Sequence, residues 1–234
     1  MMGMMQRMGL RITAAVVAAL WVLGCSCCSA SLRGAGSQRQ SASSASSQER
    51  LASSIGDYIQ RQLGTYDSLP DYQRDVLRRS IKRGRISAKD YETAWSDYKQ
   101  CVLDKGYREV ILVKMDNGVY AEASSTGGTK RQYEQFDKAE NDCRMEYLDQ
   151  IDLLYKIQVG NPSLYADQDE AVVDCLRRKN VVKDSYTAKD FRREVSSGRH
   201  SFDWGGNKDA NACLVSNGYV YLKSDTPLEH PFGK

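Results

Sequence analysis

The segment that begins at Leu69 places apolar side chains at helical spacing. Leu69, Tyr72, Val76 and Ile81 fall near one face of a helix, and basic residues occupy much of the opposite face. Capping residues, glycines and prolines mark the ends of this and similar segments. Together they predict seven helices, at residues 49–62, 69–82, 87–105, 133–155, 166–178, 187–195 and 208–217.

Residues 108–123, REVILVKMDNGVYAEA, show the two-residue alternation of extended chain instead. The turn Asp116-Asn117-Gly118 separates two alternating stretches, which predicts a β-hairpin. A second extended run, VYLK, predicts a short strand near residues 219–223. Only four prolines occur in the chain, and helix-favouring residues are common. The predicted fold class is therefore α+β, mainly α-helical, with one hairpin and one further short strand.

Two helix-start signals are nearly the same. ISAKDY (86–91) and YTAKDF (186–191) each supply an N-cap hydroxyl, a carboxylate three residues later and an apolar pair that can staple the first turn. The spacing Cys-x4-Gly-Tyr then occurs at both 101–107 and 213–219, where the glycine suits a left-handed helix stop. A common helix start used twice would explain the first pair alone. Both pairs together predict a degenerate two-unit repeat, over residues 86–158 and 166–225.

Residues 1–24 have the composition of an export signal. Arg7 and Arg11 precede an apolar run at 12–23, which is shorter than a membrane span. The run ends at Val22-Leu23-Gly24-Cys25, which resembles the lipobox of bacterial lipoproteins, although its first two residues are not the usual ones. The resemblance implies cleavage before Cys25 and attachment of a lipid, with acyl chains such as palmitate, to its thiol. An ordinary secretory signal cut near Ala30 is the alternative.

The segment after the signal, residues 25–48, is rich in Ser, Ala, Gly and Gln, which is typical of a flexible tether. An ectodomain is expected over residues 49–234. Of the 33 Lys and Arg residues, Arg7 and Arg11 are lost with the signal, so 31 remain against 30 Asp and Glu. Such a near-neutral chain argues against nucleic acid as a partner, because nucleic-acid binders carry a strong basic excess.

Four cysteines, Cys101, Cys143, Cys175 and Cys213, lie in the expected ectodomain. An even number outside the cytoplasm indicates a disulfide framework, for which three connectivities exist. The sequence-local pairing, Cys101–Cys143 with Cys175–Cys213, closes two loops of similar size and suits a two-unit protein. The rival is a zinc site, but structural zinc ligands come in close pairs and these cysteines are scattered, so no metal is expected. Cys27 and Cys28 are assigned no role.

The order of short motifs supports a second resemblance. DYKQCVLDKGY, a hairpin, a helix with Cys143, GNP and DCLRRKNV follow one another along the chain. This order is similar to that of exported, cysteine-paired lipoproteins of actinobacteria and covers residues 86–223. The resemblance implies an exported protein and gives no catalytic residue to carry over.

No catalytic motif stands out. His200 lies in a Gly/Ser loop and His230 near the end of the chain, and neither has metal-ligand spacing. Acidic residues such as Asp167, Asp169 and Glu170 precede an apolar helix and suit its first turn. We therefore predict no catalytic residues, no cofactor and no enzyme. A hydrolase with carboxylates that form no motif is the alternative, because such pairs leave no sequence signature.

Two surfaces are candidates for binding. Phe202 and Trp204 lie in the loop SSGRHSFDWGGN (196–207) and are the predicted recognition tip. The helix from Leu69 carries a basic set that is either a solvated face or a contact for anionic lipid headgroups or wall polymers. The basic residues are Arg74, Arg78, Arg79, Lys82, Arg83 and Arg85.

These observations predict an exported lipoprotein on the extracytoplasmic face of the cell membrane. Its expected function is that of a non-catalytic binding or envelope-associated module. Its expected partners are the membrane, through the lipid anchor, and an envelope polymer or protein. A surface spacer without a ligand is a third interpretation.

Overall fold

A computed structural model of the chain describes residues 49–66, 68–219, 222 and 225–233. The predicted signal peptide, the tether and the lipidation site Cys25 lie outside the described residues. Most of the predicted strand at 219–223 also lies outside them.

Helices make up most of the described chain, and a two-stranded antiparallel sheet accompanies them. This confirms the mainly helical α+β class and the hairpin, in which Val113 pairs with Ala121. The helices in the described residues are α1 (Ile55–Thr65), α2 (Asp71–Arg83), α3 (Ala88–Asp104), α4 (Lys130–Tyr147), α5 (Asp149–Gly160), α6 (Gln168–Arg178), α7 (Ala188–Ser197) and α8 (Lys208–Ser216), and the strands are β1 (Leu112–Lys114) and β2 (Tyr120–Glu122).

The first predicted helix begins six residues later than expected. Ser54 is the N-cap of α1, and its side chain accepts a hydrogen bond from the backbone N–H of Asp57. The residues before it are extended, and Arg50 forms a β-bridge with Tyr165. The Leu51 N–H donates to the Leu164 carbonyl at 2.7 Å. A distant loop therefore holds this segment out of the helix.

The single helix predicted at 133–155 is two helices, broken at Leu148. Leu148 has φ −130° and ψ −46°, and its side chain is fully buried. Gln73 of α2 satisfies the backbone groups that the break exposes. Its amide nitrogen donates to the Met145 carbonyl at 2.5 Å, and its oxygen accepts from the Gln150 N–H at 2.8 Å. The buried amide thus takes the place of two intrahelical hydrogen bonds.

Two hydrophobic cores support the described residues. The larger core lies among α1 to α5 and the hairpin, and each of these helices contributes a large, fully buried side chain. These are Ile59, Leu77, Trp95, Phe136 and Leu154. The smaller core lies among α6, α7 and α8, around Leu176, Phe191, Trp204 and Leu214.

Each core carries a disulfide, which confirms the expectation of disulfide bonds. Cys101 of α3 bonds Cys143 of α4, with the Cα atoms 5.8 Å apart. Cys175 of α6 bonds Cys213 of α8, with the Cα atoms 5.6 Å apart. These are the sequence-local pairs. Each disulfide joins two helices that pack on the same core.

The repeated helix starts fold alike only in part. Thr187 and Asp190 form a full capping box at the start of α7. At the start of α3, the Asp90 carboxylate accepts from the Ser87 hydroxyl at 2.7 Å, as Asp190 does from Thr187, but it binds Arg79 and Arg83 of α2 in place of the N-cap backbone. The stops agree better, since Gly106, Asn180 and Gly218 all have positive φ, each five residues after a disulfide cysteine. The duplication itself stays a prediction.

We expect the Cys175→Ala/Cys213→Ala double variant to lose about 4 kcal/mol of unfolding free energy, because the disulfide spans 38 residues. Alanine is chosen because both thiols lie in an apolar interior, where a serine hydroxyl would add its own cost. Urea unfolding of the oxidised protein and the variant measures the difference. A loss below about 1 kcal/mol would show that the smaller core folds without its staple.

Candidate functional site

The prediction that Trp204 forms an exposed recognition tip is wrong. The structure buries this side chain in the smaller core, with 6% exposed. Its ring stacks on Phe191 at a centroid distance of 5.6 Å, and the His200 ring covers it at 3.8 Å. Phe202 is half-buried against Tyr186 and Trp204. The polar loop sequence suggested exposure, but its aromatic residues complete a small core that three short helices leave open.

The residues with metal-binding chemistry do not assemble. His200 stacks on Trp204, whereas His230 lies far along the chain, where its backbone N–H donates to the Glu109 carboxylate at 2.6 Å. Across the part of the chain that the structure describes, no three His, Cys, Asp or Glu residues are grouped as metal ligands.

The densest cluster of charged groups surrounds Arg144 of α4, which sequence reasoning did not single out. Its Nη1 lies 2.9 Å from Glu122 of β2, its Nε 3.2 Å from Asp149 and its Nη2 3.6 Å from Asp152 of α5. The guanidinium also lies over the rings of two α3 residues, Trp95 and Tyr98, at 5.6 and 5.7 Å from their centroids. One cation therefore contacts α3, β2 and α5.

Asp152 is the most buried acid of this cluster, with 5% exposed. Its Oδ1 accepts from the Tyr91 hydroxyl at 2.9 Å and from the Trp95 indole N–H at 3.2 Å. Its Oδ2 accepts from Lys156 at 2.8 Å. The Tyr91 hydroxyl in turn accepts from the Tyr120 N–H at 3.0 Å, which links the hairpin to α3 and α5. Full hydrogen bonding of this kind is what a buried carboxylate requires.

A further carboxyl group near this cluster, Glu140 of α4, has a raised pKa. Burial, followed by the charges of Glu122 and Glu229, raises the pKa of Glu140 to about 8. The Tyr98 hydroxyl donates to Glu122 and also lies 3.4 Å from Glu140. A carboxyl group with a raised pKa near another carboxyl group is an arrangement that acid–base catalysis uses. Tyr98, however, is fully buried between them.

The polar groups that a ligand could reach lie elsewhere, in a cleft of about 210 Å³. It forms where the chain after α3 meets the chain end, and the Arg108 N–H donates to the Pro231 carbonyl at 3.0 Å. Phe232 packs edge-on against Tyr133 and Phe136. A Cβ on Gly128 would overlap the Phe232 ring, so a glycine is required there. The lining residues are Gly106, Tyr107, Arg108, Gln132, Gln135, Pro231 and Phe232.

The lining of this cleft suits binding rather than catalysis. It offers one guanidinium, two carboxamides and two aromatic rings, and its lining residues include no carboxylate, thiol or imidazole. Guanidinium groups pair with carboxylates and phosphates, and carboxamides donate to and accept from hydroxyl groups. The volume is below the roughly 300 Å³ of an ordinary small-molecule pocket. The cleft therefore fits one unit or one end of a ligand.

A further cavity, of about 180 Å³, lies between the hairpin and α8. Lys208 and Asp116 reach across this region, with their charged atoms 3.8 Å apart. Because these two charged groups already pair with each other, this cavity offers fewer free polar groups to a ligand than the cleft does.

Comparison with protein-family models, curated proteins and solved structures finds no match to this chain. Among the residues that the structure covers, no helix has the length and apolar character needed to cross a membrane.

We expect the Arg144→Met variant to lose about 3–5 kcal/mol of unfolding free energy, because Glu122 and Asp152 then lose a cation inside the protein. Denaturant unfolding at neutral pH measures the loss. Arg131→Met on the same helix is the control, since that side chain is exposed and should change stability by less than about 0.5 kcal/mol. Equal losses in both variants would mean that the cluster does not stabilise the fold.

We expect stability to fall as the pH rises from 5 to 8 because of Glu140. Between its ordinary pKa of 4.5 and its folded pKa of about 8, the folded state holds a proton that the unfolded state has lost. The unfolding free energy therefore decreases with pH across this window, by up to about 2 kcal/mol once solvent contact is allowed for. The Glu140→Gln variant is neutral throughout and should lose this component.

Thermal or urea unfolding at several pH values tests this expectation. Glu134→Gln on the same helix is the control, because that side chain is exposed and should leave the pH profile unchanged. A Glu140→Gln profile parallel to that of the unchanged protein would contradict the protonated state of Glu140.

Proposed function

We propose that this chain is an exported lipoprotein, held by Cys25 on the extracytoplasmic face of the cell membrane, and that its ectodomain is a non-catalytic binding module. The lipobox-like Val22-Leu23-Gly24-Cys25 supports the anchor. The disulfides Cys101–Cys143 and Cys175–Cys213 support export, because such bonds persist in oxidising compartments.

One observation carries the binding role: the polar groups that a ligand can reach are separate from the acidic groups, which lie against buried residues. The cleft at Arg108 and Phe232 is open and has neutral or basic polar lining. The acidic groups at Glu122, Glu140 and Asp152 meet buried aromatic residues instead. A guanidinium beside carboxamides and aromatic rings suits an anionic, hydroxyl-rich chain. The proposed ligand is therefore one unit or one end of an anionic envelope polymer.

A hydrolase is the second candidate, and the raised pKa of Glu140, which shares the Tyr98 hydroxyl with Glu122, is the observation that favours it. A catalytic pair needs an opening to substrate, and the fully buried Tyr98 lies at both carboxyl groups. Release of reducing ends from envelope glycans by the unchanged protein, abolished by Glu140→Gln, would favour the hydrolase over the binding module.

The proposal also includes the degenerate repeat, with units at 86–158 and 166–225. The positive φ of Gly106 and Gly218, each after a disulfide cysteine in a last helical turn, supports a common origin. The hairpin follows only the first of these stops in the described chain.

The intact mass of protein extracted from its native membrane tests the anchor. We expect a mass without residues 1–24, increased by acyl chains, and a gain of four hydrogen atoms when the two disulfides are reduced. A Cys25→Ser variant should lose the acyl mass and leave the membrane fraction. An unacylated mass in the unchanged protein would contradict the lipid anchor, and free thiols would contradict export.

Calorimetric titration with fragments of anionic envelope polymers tests the cleft. The Arg108→Gln variant should weaken binding at least about tenfold, because it removes a charge-assisted hydrogen bond. Arg199→Gln is the matched control, since its side chain is exposed on a different loop. Equal affinities in the two variants would show that the ligand binds outside the cleft.

A further inference from the structure

Exposed basic side chains are concentrated in residues 78–89, over the last turns of α2 and the start of α3. Every basic residue in this span is exposed, and the span contains no acidic residue. We call this surface the basic end. Its residues are Arg78, Arg79, Lys82, Arg83, Arg85 and Lys89.

The basic end is a local excess of charge on a domain that has almost none overall. Four of the 33 basic residues precede residue 49, so 29 remain from there onward against 30 acidic residues. Arg79 and Arg83 both bind Asp90, and Arg78 lies 3.4 Å from Asp75. Among the described residues, no carboxylate lies within 4.0 Å of Lys82, Arg85 or Lys89 at ion-pair distance. These three cations face solvent.

The chain enters the domain next to the basic end. A Cβ on Gly56, at the start of α1, would lie 3.6 Å from the Cα of Gly84, at the end of α2. The backbone N–H of Ile86 donates to the side-chain oxygen of Gln158, near the end of α5, and the side-chain nitrogen of Gln158 donates to the Ile86 carbonyl. The loop after α5 in turn holds the incoming chain through Leu51. The entry point and the basic cations therefore share one end of the domain.

The length of chain before this entry point limits how far the domain can move from an anchor. Residues 25–48 are 24 residues of Ser-, Ala-, Gly- and Gln-rich sequence. A flexible chain of this length has a root-mean-square reach of about 25 Å. An anchored domain would thus meet its own membrane at high effective concentration, and it would meet it with the end from which the tether leaves.

We propose that the basic end docks on the phosphate-bearing headgroups of anionic lipids in the membrane that carries Cys25, an inference that rests on the proposed lipid anchor. Guanidinium groups form paired hydrogen bonds with phosphate oxygens. Clustered basic residues near an anionic surface gain from its negative potential, an attraction that falls off within a Debye length. The basic end supplies three arginine and lysine side chains without acidic partners for this contact.

The cleft lies far from the basic end along α3. Lys89 lies in the first turn of α3, whereas Gly106 and Tyr107 of the cleft follow its last turn. The 17 residues of α3 span about 25 Å. The cleft therefore lies at the opposite end of α3 from Lys89, which leaves it accessible to polymers when the basic end is docked.

Amine footprinting of the full, membrane-extracted protein tests the docking. The protein is reconstituted into vesicles of phosphatidylcholine, with or without phosphatidylglycerol, and labelled with an amine-reactive ester before mass spectrometry. We expect Lys82 and Lys89 to react roughly fivefold more slowly in the anionic vesicles, and added salt to restore their reactivity. Lys183 and Lys189, exposed on another part of the surface, should react equally in both.

A pair of matched variants separates the basic end from overall charge. One replaces Lys82, Arg85 and Lys89 with Gln and leaves the ion pairs of Asp75 and Asp90 intact. The other replaces three exposed cations elsewhere, Arg131, Lys183 and Lys189, with Gln. In the unacylated Cys25→Ser background, only the first should reduce flotation with anionic vesicles to the level seen with neutral vesicles. Equal effects of both variants would overturn the proposal.

The remaining outcomes are also decisive. Acylated protein whose Lys82 and Lys89 react equally in both vesicles would overturn the docking and leave the lipid anchor standing. Protection by soluble phosphate polymer but not by vesicles would overturn it in favour of a wall-polymer site. If the protein carries no acyl chain, the anchor fails. Flotation with anionic vesicles that depends on the basic end would then still support the docking, and no flotation would overturn it.

Discussion

The packing around the larger core depends on a largely buried cation that must be paired with carboxylates. Arg144 brings a guanidinium against the rings of Trp95 and Tyr98, where only neighbouring carboxylates compensate its lost hydration. Glu122 and Asp152 supply this compensation from β2 and α5. The hairpin is too short to be stable alone, and the hydrogen bond from the Tyr120 N–H to Tyr91 fixes it to the same network. The charge cluster thus specifies how four elements meet, which apolar burial alone would leave less defined.

Sequence patterns predicted those parts of the fold that depend on local chemistry. The caps at Ser87 and Thr187, the Asn117-Gly118 turn and the positive-φ stops all lie where local residues indicate them. The break at Leu148 was missed because no proline or glycine marks it, and a buried amide of another helix, Gln73, satisfies its backbone. The late start of α1 was missed for a similar reason, because Arg50 pairs with a residue more than a hundred positions away.

The candidate sites were less accessible to sequence reasoning than the fold. Trp204 was misjudged because a loop rich in glycine and serine suggests exposure, whereas the short helices α6 to α8 need its ring to close their core. The cleft joins Arg108, Gln132 and Phe232, which are far apart in the chain and form no motif. The basic set on α2 was visible in the sequence. Its position beside the incoming chain depends on the contact of Gly56 with Gly84.

Three different groups of residues lie at successive positions along α3. Cations without acidic partners lie at its start, the enclosed carboxyl groups lie beside its middle, and the open cleft follows its end. The middle group stabilises the helix packing, so it cannot also change partners during function without a cost of several kcal/mol. Binding at either end can occur without disturbing it. The Cys101–Cys143 disulfide fixes α3 to α4, so α3 holds the basic end and the cleft about 25 Å apart.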